Sequence, residues 1–300
     1  MSNRPQYTAN DFHPEALRLF DKLVHGDIDR REFLSSATRF AGAFTAVGLL
    51  EALSPQFAYA EKVAGNDPRL QTQTIELPSA KGYGKAKGYL VKSAKVSGPL
   101  PAVLVIHENR GLNPHIEDIA RRLALENFIV FAPDALFPLG GYPGNEDAAR
   151  ELFKQLEQPK VHEDFMAAFD WLKQLPESNG KVGVIGFCYG GGIANLLATR
   201  LPGLAAAVPF YGSAPPLEAV PAIKSPLLIH FAEQDERVNA SWPPYEQALK
   251  SAGKAYQAYQ YAGTQHGFNN DTTPRYDAAA ASLAWQRSID FFNQYLRQPA

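Results

Sequence analysis

The sequence predicts an α/β protein, a mostly parallel central sheet with helices on both faces. Three observations carry this. Short continuous apolar runs such as Ala102-Val103-Leu104-Val105-Ile106 lack the alternation of a half-wetted strand and read as strands buried on both sides. Between them lie stripes at i, i+3, i+4, i+7, as in Ile116, Ile119, Ala120 and Leu123, each the buried face of a helix. The two kinds of segment alternate along the chain, as helical crossovers between parallel strands require.

The elements follow in order. Thr72-Gln73-Thr74-Ile75-Glu76-Leu77 and Gly88-Tyr89-Leu90-Val91 read as a first hairpin, split by Gly82 and Gly84. The buried strand 102–106 leads into the helix carrying Ile116 to Leu123. Phe128-Ile129-Val130-Phe131 is a second buried strand, and Val161, Phe165, Ala168, Phe169 and Leu172 form the next helical stripe. Between them, the Gly- and Pro-rich loop 136–145 reads as a pocket rim. Val182-Gly183-Val184-Ile185-Gly186 is again a strand, followed by a helix over about 190–200. Strands at 205–209, 227–231 and 256–261, a helix at 245–252 and a last helix through Trp285, Ile289, Phe292 and Leu296 complete the pattern.

Composition narrows the function classes. The chain has 300 residues, 45% of them apolar and 20% charged, which suits a globular protein with a sizeable core. Lys plus Arg is 29 against 31 acidic residues, a net charge of −2, so nothing points to nucleic acid or to a polybasic membrane patch. A single cysteine, Cys188, excludes an intramolecular disulfide framework and any cysteine-rich metal site. No run of about eighteen apolar residues predicts stable membrane insertion.

Residues 1–60 read differently from the remainder, as an N-terminal extension preceding a domain over 61–300. Asp29-Arg30-Arg31-Glu32-Phe33-Leu34 is a twin-arginine pattern; a weakly apolar stretch over 37–53 follows, then Ser54-Pro55 and the A-x-A signature Ala58-Tyr59-Ala60. This predicts export to the periplasm or beyond, with the twin-arginine machinery as a transient partner. The alternative is a cytoplasmic chain in which Leu17, Phe20, Leu23 and Val24 are the apolar stripe of an amphipathic helix.

The chemistry-bearing residues cluster at strand ends. Gly186-Phe187-Cys188-Tyr189-Gly190 is G-x-C-x-G between a strand and a helix, the cysteine form of a nucleophile elbow. So tight a turn brings the backbone of the nucleophile close to its neighbours, so that side chains at Gly186 and Gly190 would collide. It also aims the sulfur over the positive end of the following helix, which favours a thiolate. The elbow needs an acid and then a histidine later in the chain. Asp235 follows the strand 227–231, with Glu233 and Glu236 as weaker candidates, and His266 follows the strand 256–261. Glu108 ends the strand 102–106 and stands where a carboxylate can take a thiol proton. The N–H groups of Asn109 and Tyr189 are the expected oxyanion donors.

The other histidines are weaker candidates. His13 and His25 lie in the N-terminal extension, His115 and His162 are expected to be exposed, and His230 to be packed inside a strand. His107-Glu108 opens like H-E-x-x-H, but position 111 is Gly, so no zinc site is expected.

Over roughly 70–295 the chain resembles the dienelactone hydrolase family of the α/β-hydrolase fold. The resemblance rests on Ile106-His107-Glu108-Asn109-Arg110-Gly111, Ala132-Pro133-Asp134, the elbow around Cys188, the Asp235 loop and His266-Gly267-Phe268. It implies a hydrolase without cofactor or metal, cleaving a small ester or lactone, with Cys188 as nucleophile, Asp235 and His266 as partners and Glu108 as the group that activates the thiol. It departs from the family's chlorocatechol enzymes where they hold a substrate carboxylate with an arginine: four residues after the histidine stands Asn270, and Arg110, Arg150 and Arg275 are the nearby cations. A carboxylesterase or peptidase of the same fold, or a non-enzymatic carboxylate- or partner-binding module, are the alternatives.

Overall fold

Alternate residues of the central strand face opposite sides: Leu104 and Ile106 enter one apolar cluster, Val103 and Val105 the other, all fully buried. That is what a continuous apolar run implies when both faces of a sheet are covered. The computed structural model describes residues 7–57, 61–95 and 98–297. In chain order the strands are β1 (Leu70–Ser79), β2 (Gly84–Ser93), β3 (Leu100–Ile106), β4 (Ile129–Pro133), β5 (Ser178–Phe187), β6 (Ala206–Phe210), β7 (Leu227–Gln234) and β8 (Tyr256–Gln265). The helices are α1 (Pro14–His25), α2 (Arg30–Ala37), α3 (Ala46–Leu53), α4 (Pro114–Leu125), α5 (Glu146–Phe153), α6 (Gln158–Gln174), α7 (Tyr189–Arg200), α8 (Glu236–Asn239), α9 (Trp242–Ser251) and α10 (Ala278–Leu296).

The strands form one eight-stranded sheet in the order β1-β2-β4-β3-β5-β6-β7-β8. The β1–β2 hairpin and the β2–β4 pair are antiparallel and every pair from β4 onward is parallel. Val161, Phe165, Ala168 and Leu172 of α6, Ile193 and Leu197 of α7 and Leu249 of α9 cover the face bearing Leu104 and Ile106. Ile116, Ile119 and Leu123 of α4 with Ile289, Phe292 and Leu296 of α10 cover the other. This is the α/β-hydrolase arrangement the sequence predicts.

Three local expectations are corrected. The loop 136–145 contains a 3₁₀ turn at Phe137–Leu139 and runs into α5, a helix whose one buried residue, Ala149, left too weak a stripe to read. His115 is buried, with Nδ1 3.2 Å from Asp271 Oδ1, where exposure was expected. His162 is half-buried within α6.

The N-terminal segment is folded over the described residues 7–57. Leu17, Phe20 and Leu23 of α1 are buried, as the amphipathic alternative requires, against Phe33 of α2 and Leu49, Leu50 and Leu53 of α3. Asp29 and Glu32, which flank the twin-arginine pair, form a capping box at the start of α2, each side chain accepting from the other's backbone N–H. Ala58-Tyr59-Ala60 lies outside the described residues. This three-helix cap has its own apolar cluster, which shares no residue with the two that sandwich the sheet.

Candidate active site

The parallel strands deliver the candidate residues to one edge of the sheet. Ile106 of β3 pairs with Gly186 of β5, so the loop holding Glu108 and Asn109 begins beside the turn holding Cys188. Gln234 of β7 pairs with Gln265 of β8, so the next residue on each strand, Asp235 and His266, emerges side by side. The carboxyl ends of such strands are where α/β sheets place ligands.

Cys188 has φ +56° and ψ −112°, a strained backbone for a residue with a side chain. Its N–H donates to Phe210 O at 3.0 Å, tying the turn to β6. The two flanking glycines are explained by contact. A Cβ on Gly186 would lie 1.9 Å from Gly190 O, and one on Gly190 would lie 2.2 Å from Ile106 O. Cys188 caps α7, so its sulfur meets the positive end of the helix dipole. Tyr189 is the first residue of α7 and its N–H has no intrahelical acceptor by position, leaving it to serve an incoming oxygen.

Asp235 Oδ2 accepts from His266 Nδ1 at 2.5 Å, while Oδ1 accepts from Val238 N–H at 3.2 Å as the cap of α8. His266 Nε2 is buried within 4.8 Å of Cys188 Sγ and faces it without full hydrogen-bond geometry. Burial opposes the imidazolium, but Cys188 and Asp235 outweigh it and raise His266 above its ordinary value. Asp235 is held low against its own burial by His266.

The group in hydrogen-bond contact with the sulfur is one that sequence reasoning discounted. His25, the last residue of α1, has Nε2 3.5 Å from Cys188 Sγ, and its ring lies 4.7 Å from that of His266. Its Nδ1 donates to Asp21 O at 2.8 Å and is 3.3 Å from Asp21 Oδ2. Burial disfavours its charge, yet Cys188 and Asp21 raise His25 to about 9. For Cys188, burial opposes the thiolate and the two imidazoles prevail, bringing the thiol down to about 6. The exposed Arg237 places Nη2 2.8 Å from His25 Nε2. One nitrogen cannot accept from that guanidinium and donate to sulfur at once, so protonating His25 releases Arg237. The signal for His25 was present as Asp21 and His25, i and i+4 on an amphipathic helix.

Glu108 is not bonded to the sulfur; its Oε2 accepts from Asn270 Nδ2 at 2.9 Å. Asn270 Oδ1 is occupied in turn by Thr272 N–H at 3.1 Å and the Thr272 hydroxyl at 2.5 Å. A cavity beside Glu108 and Asn109 is walled by Phe20, Leu23 and Val24 of the cap and by Arg150 of α5. Each of the three nearby arginines has a carboxylate within 4 Å. Arg110 donates to Val24 O and Asn109 O and lies 3.8 Å from Glu146, Arg150 pairs with Asp147, and Arg275 pairs with Asp21 through Nη1 while its buried Nε has no hydrogen-bond partner among the described residues. Among the described residues His25, Cys188 and His266 form the one set of ligand atoms close enough to hold a metal ion. Each imidazole has a carboxylate behind it, but the Arg237 cation faces the His25 nitrogen.

Known proteins match the chain in sequence and fold. Residues 86–296 match the dienelactone hydrolase family, and residues 4–42 separately match a family described as YqhI-like. The chain is 52% identical over 113 residues to the "Putative hydrolase fragment YghX" of Escherichia coli K12, covering 38% of this chain and 97% of that protein. It is 32% identical to a "Putative carboxymethylenebutenolidase" of the same organism, covering 69% of this chain and 82% of that one. A "Putative Dienelactone Hydrolase" of Klebsiella pneumoniae, known by crystal structure, superposes with a TM-score of 0.68 at 27% identity, over 75% of this chain and 99% of its own. On fold and sequence alike, the chain belongs to the dienelactone hydrolase family and is a hydrolase of that type.

Proposed function

We propose that the chain hydrolyses a small, neutral ester or lactone through a thioester on Cys188. The single observation that carries this is the strained turn at Cys188 with the Asp235–His266 pair within reach of its sulfur. The thiolate attacks the carbonyl carbon, and the N–H groups of Asn109 and Tyr189 receive the developing oxyanion. Departure of the alcohol leaves the thioester. His266, oriented by Asp235, then takes a proton from water as the water attacks, and collapse releases the acid and the cysteine.

The preference for a neutral substrate is supported by the carboxylate beside each of Arg110, Arg150 and Arg275, together with an amide in place of a cation at Asn270, whose Nδ2 donates to Glu108 and whose Oδ1 is taken by Thr272. A carboxylate placed in the cavity would face Glu108, Glu146 and Asp147 as well as Arg110, Arg150 and Arg275, a lining with no surplus of positive charge. Hydrolysis of a panel of neutral esters, neutral lactones and carboxylate-bearing lactones by the full chain, wild type beside Cys188→Ala, tests both parts. Turnover lost in the variant and highest on neutral substrates is the expected result. Turnover retained by a folded Cys188→Ala protein refutes the nucleophile, and preference for the anionic lactones refutes the substrate class.

Export by the twin-arginine route is proposed as well, on the sequence pattern at 29–34 alone. Cell fractionation of the wild type beside the double variant Arg30→Lys, Arg31→Lys tests it; equal cytoplasmic retention of both would sink the idea.

A further inference from the structure

We propose that His25 is a second catalytic histidine, supplied by the N-terminal cap, which takes the proton of the Cys188 thiol and returns it to the departing alcohol. This rests on the reading of Cys188 as nucleophile. The observation behind it is a difference in contact: His25 Nε2 is hydrogen-bonded to the sulfur at 3.5 Å, whereas His266 Nε2, which also acts on the sulfur, lies within 4.8 Å of it without full hydrogen-bond geometry. A histidine oriented by Asp235 and less closely engaged with the sulfur is suited to a water molecule that arrives after acylation. A histidine already on the sulfur is suited to the step before it.

The proton balance closes. Arg237 moves off His25 Nε2, which then takes the Cys188 S–H proton, and the thiolate forms a bond to the carbonyl carbon. As the tetrahedral adduct collapses, the carbon–oxygen bond to the alcohol breaks and the alkoxide takes the proton from His25 Nε2, which returns to neutral. Water then attacks the thioester and gives its proton to His266 Nε2. Collapse expels the Cys188 thiolate and the acid, and the His266 proton restores the thiol. Net, one ester and one water become one acid and one alcohol.

The cap is held as such a role requires. Asp21 fixes the His25 ring from behind through Nδ1, and Arg275, from the loop after β8, fixes Asp21 at 3.1 Å. Asn109 Nδ2 and Arg110 Nη2, from the loop after β3, donate to Val24 O at 2.9 and 3.1 Å. Thus the loops that flank the sulfur also grip the last turn of α1, and the carbonyl end of that helix favours a protonated imidazole at its terminus. The charged and titratable groups around the sulfur are His25, Asp21, Arg275 and Arg237 on one side and His266, Asp235, Tyr211, Glu108 and Arg110 on the other.

The test uses the full chain, p-nitrophenyl acetate and stopped-flow detection of nitrophenolate. His25→Gln should lower the rate of the acylation burst by about 100-fold while changing the later steady rate of thioester hydrolysis only a few-fold. The loss should be greater on ethyl acetate, a poor leaving group that needs the returned proton. Alkylation of Cys188 by iodoacetamide should lose its low-pH inflection in the variant. His266→Gln should keep a burst, slowed at neutral pH because the thiol loses one of its two imidazoles, and then stall with an acetyl group on Cys188, seen by mass spectrometry. Asp21→Asn, which keeps the ring, should shift the same quantities in the direction of His25→Gln and serves if that variant does not fold. A folded variant with an unchanged burst and an unchanged alkylation profile overturns the role of His25, as does a loss confined to thioester hydrolysis. Turnover without any acyl adduct in wild type or His266→Gln, and its survival in Cys188→Ala, would instead overturn the nucleophile itself.

Discussion

Two glycines two residues apart on the same helix should respond oppositely to the same substitution. In Gly190→Ala the new Cβ would meet Ile106 O at 2.2 Å, about 0.8 Å inside the 3.0 Å that real Cβ contacts keep. Neither side yields readily, since Ile106 is fixed in the buried centre of the sheet and Gly190 lies in the first turn of α7. The helix must therefore move off β3 and carry Cys188 with it. Overpacking of this kind costs about 1–3 kcal/mol, and a displacement near 1 Å at the reacting atom costs on the order of 100-fold in rate. In Gly192→Ala the nearest atom, Ser213 N, lies 3.7 Å from the new Cβ, an ordinary contact. Alanine also loses less backbone entropy in a helix, so this variant should be level with wild type or more stable by about 0.5–1 kcal/mol. Urea unfolding of both proteins gives the stabilities, and ester hydrolysis gives the rates. Equal midpoints and equal rates for the two variants would refute the claim that contact with Ile106, and not glycine's flexibility alone, fixes the residue at 190.

Asp235→Asn should separate chemistry from folding, because asparagine caps α8 as well as aspartate does. Thermal stability should change little while turnover falls about 1,000-fold or more, the imidazole having lost its orienting anion; a loss under ten-fold would remove Asp235 from the triad. Cys188 alkylation in the wild type should rise through an inflection near pH 6 and fall off below it, since the two imidazoles that lower the thiol can no longer prevent its protonation there. An inflection at the ordinary thiol value would contradict the thiolate reading. Arg275→Met removes the partner of Asp21 and the cation stacked 5.3 Å from the centre of the Phe20 ring, so limited proteolysis between α3 and β1 should quicken. An unchanged cleavage rate would show that the remaining contacts hold the cap.

The sheet was legible because burial on both faces leaves a continuous apolar run, and the strand ends were legible because chemistry there needs residues of few types. Gly186, Gly190, Cys188, Asp235 and His266 were all readable from such constraints. What sequence could not supply was the partner of a group across the fold. That Asn270 bonds Glu108, and that Arg275 pairs with Asp21, are meetings of residues 162 and 254 positions apart. No local period encodes such a meeting. α5 was missed for a different reason: a helix with one buried side chain has almost no hydrophobic signature, and its polar face lines the cavity instead.

The N-terminal segment shows how one string of residues supports two physical readings. Asp29-Arg30-Arg31-Glu32 is an address if a receptor reads the arginine pair, and a helix start if Asp29 and Glu32 cap each other's backbone; the same four residues satisfy both. The seam between the cap and the sheet-bearing domain is mostly polar, with Asp21–Arg275, Arg30–Asp147, Val24 O with Asn109 and Arg110, Gln56 N–H with Thr272 O and His25 with Cys188 and Arg237, beside two ring contacts, Arg275 on Phe20 and Phe57 edge-on to Tyr142. Because neither apolar cluster crosses this seam, removing the cap would leave the cores of the sheet intact. It would, however, strip one of the two imidazoles from Cys188. A chain processed after residue 60 should thus remain folded with a thiol nearer its ordinary value, whereas an unprocessed chain keeps it near 6. The N-terminal mass of the protein recovered from each cell fraction, set beside its alkylation profile, decides between these. A form beginning at residue 61 that alkylates like the full chain would mean His266 alone sets the thiol.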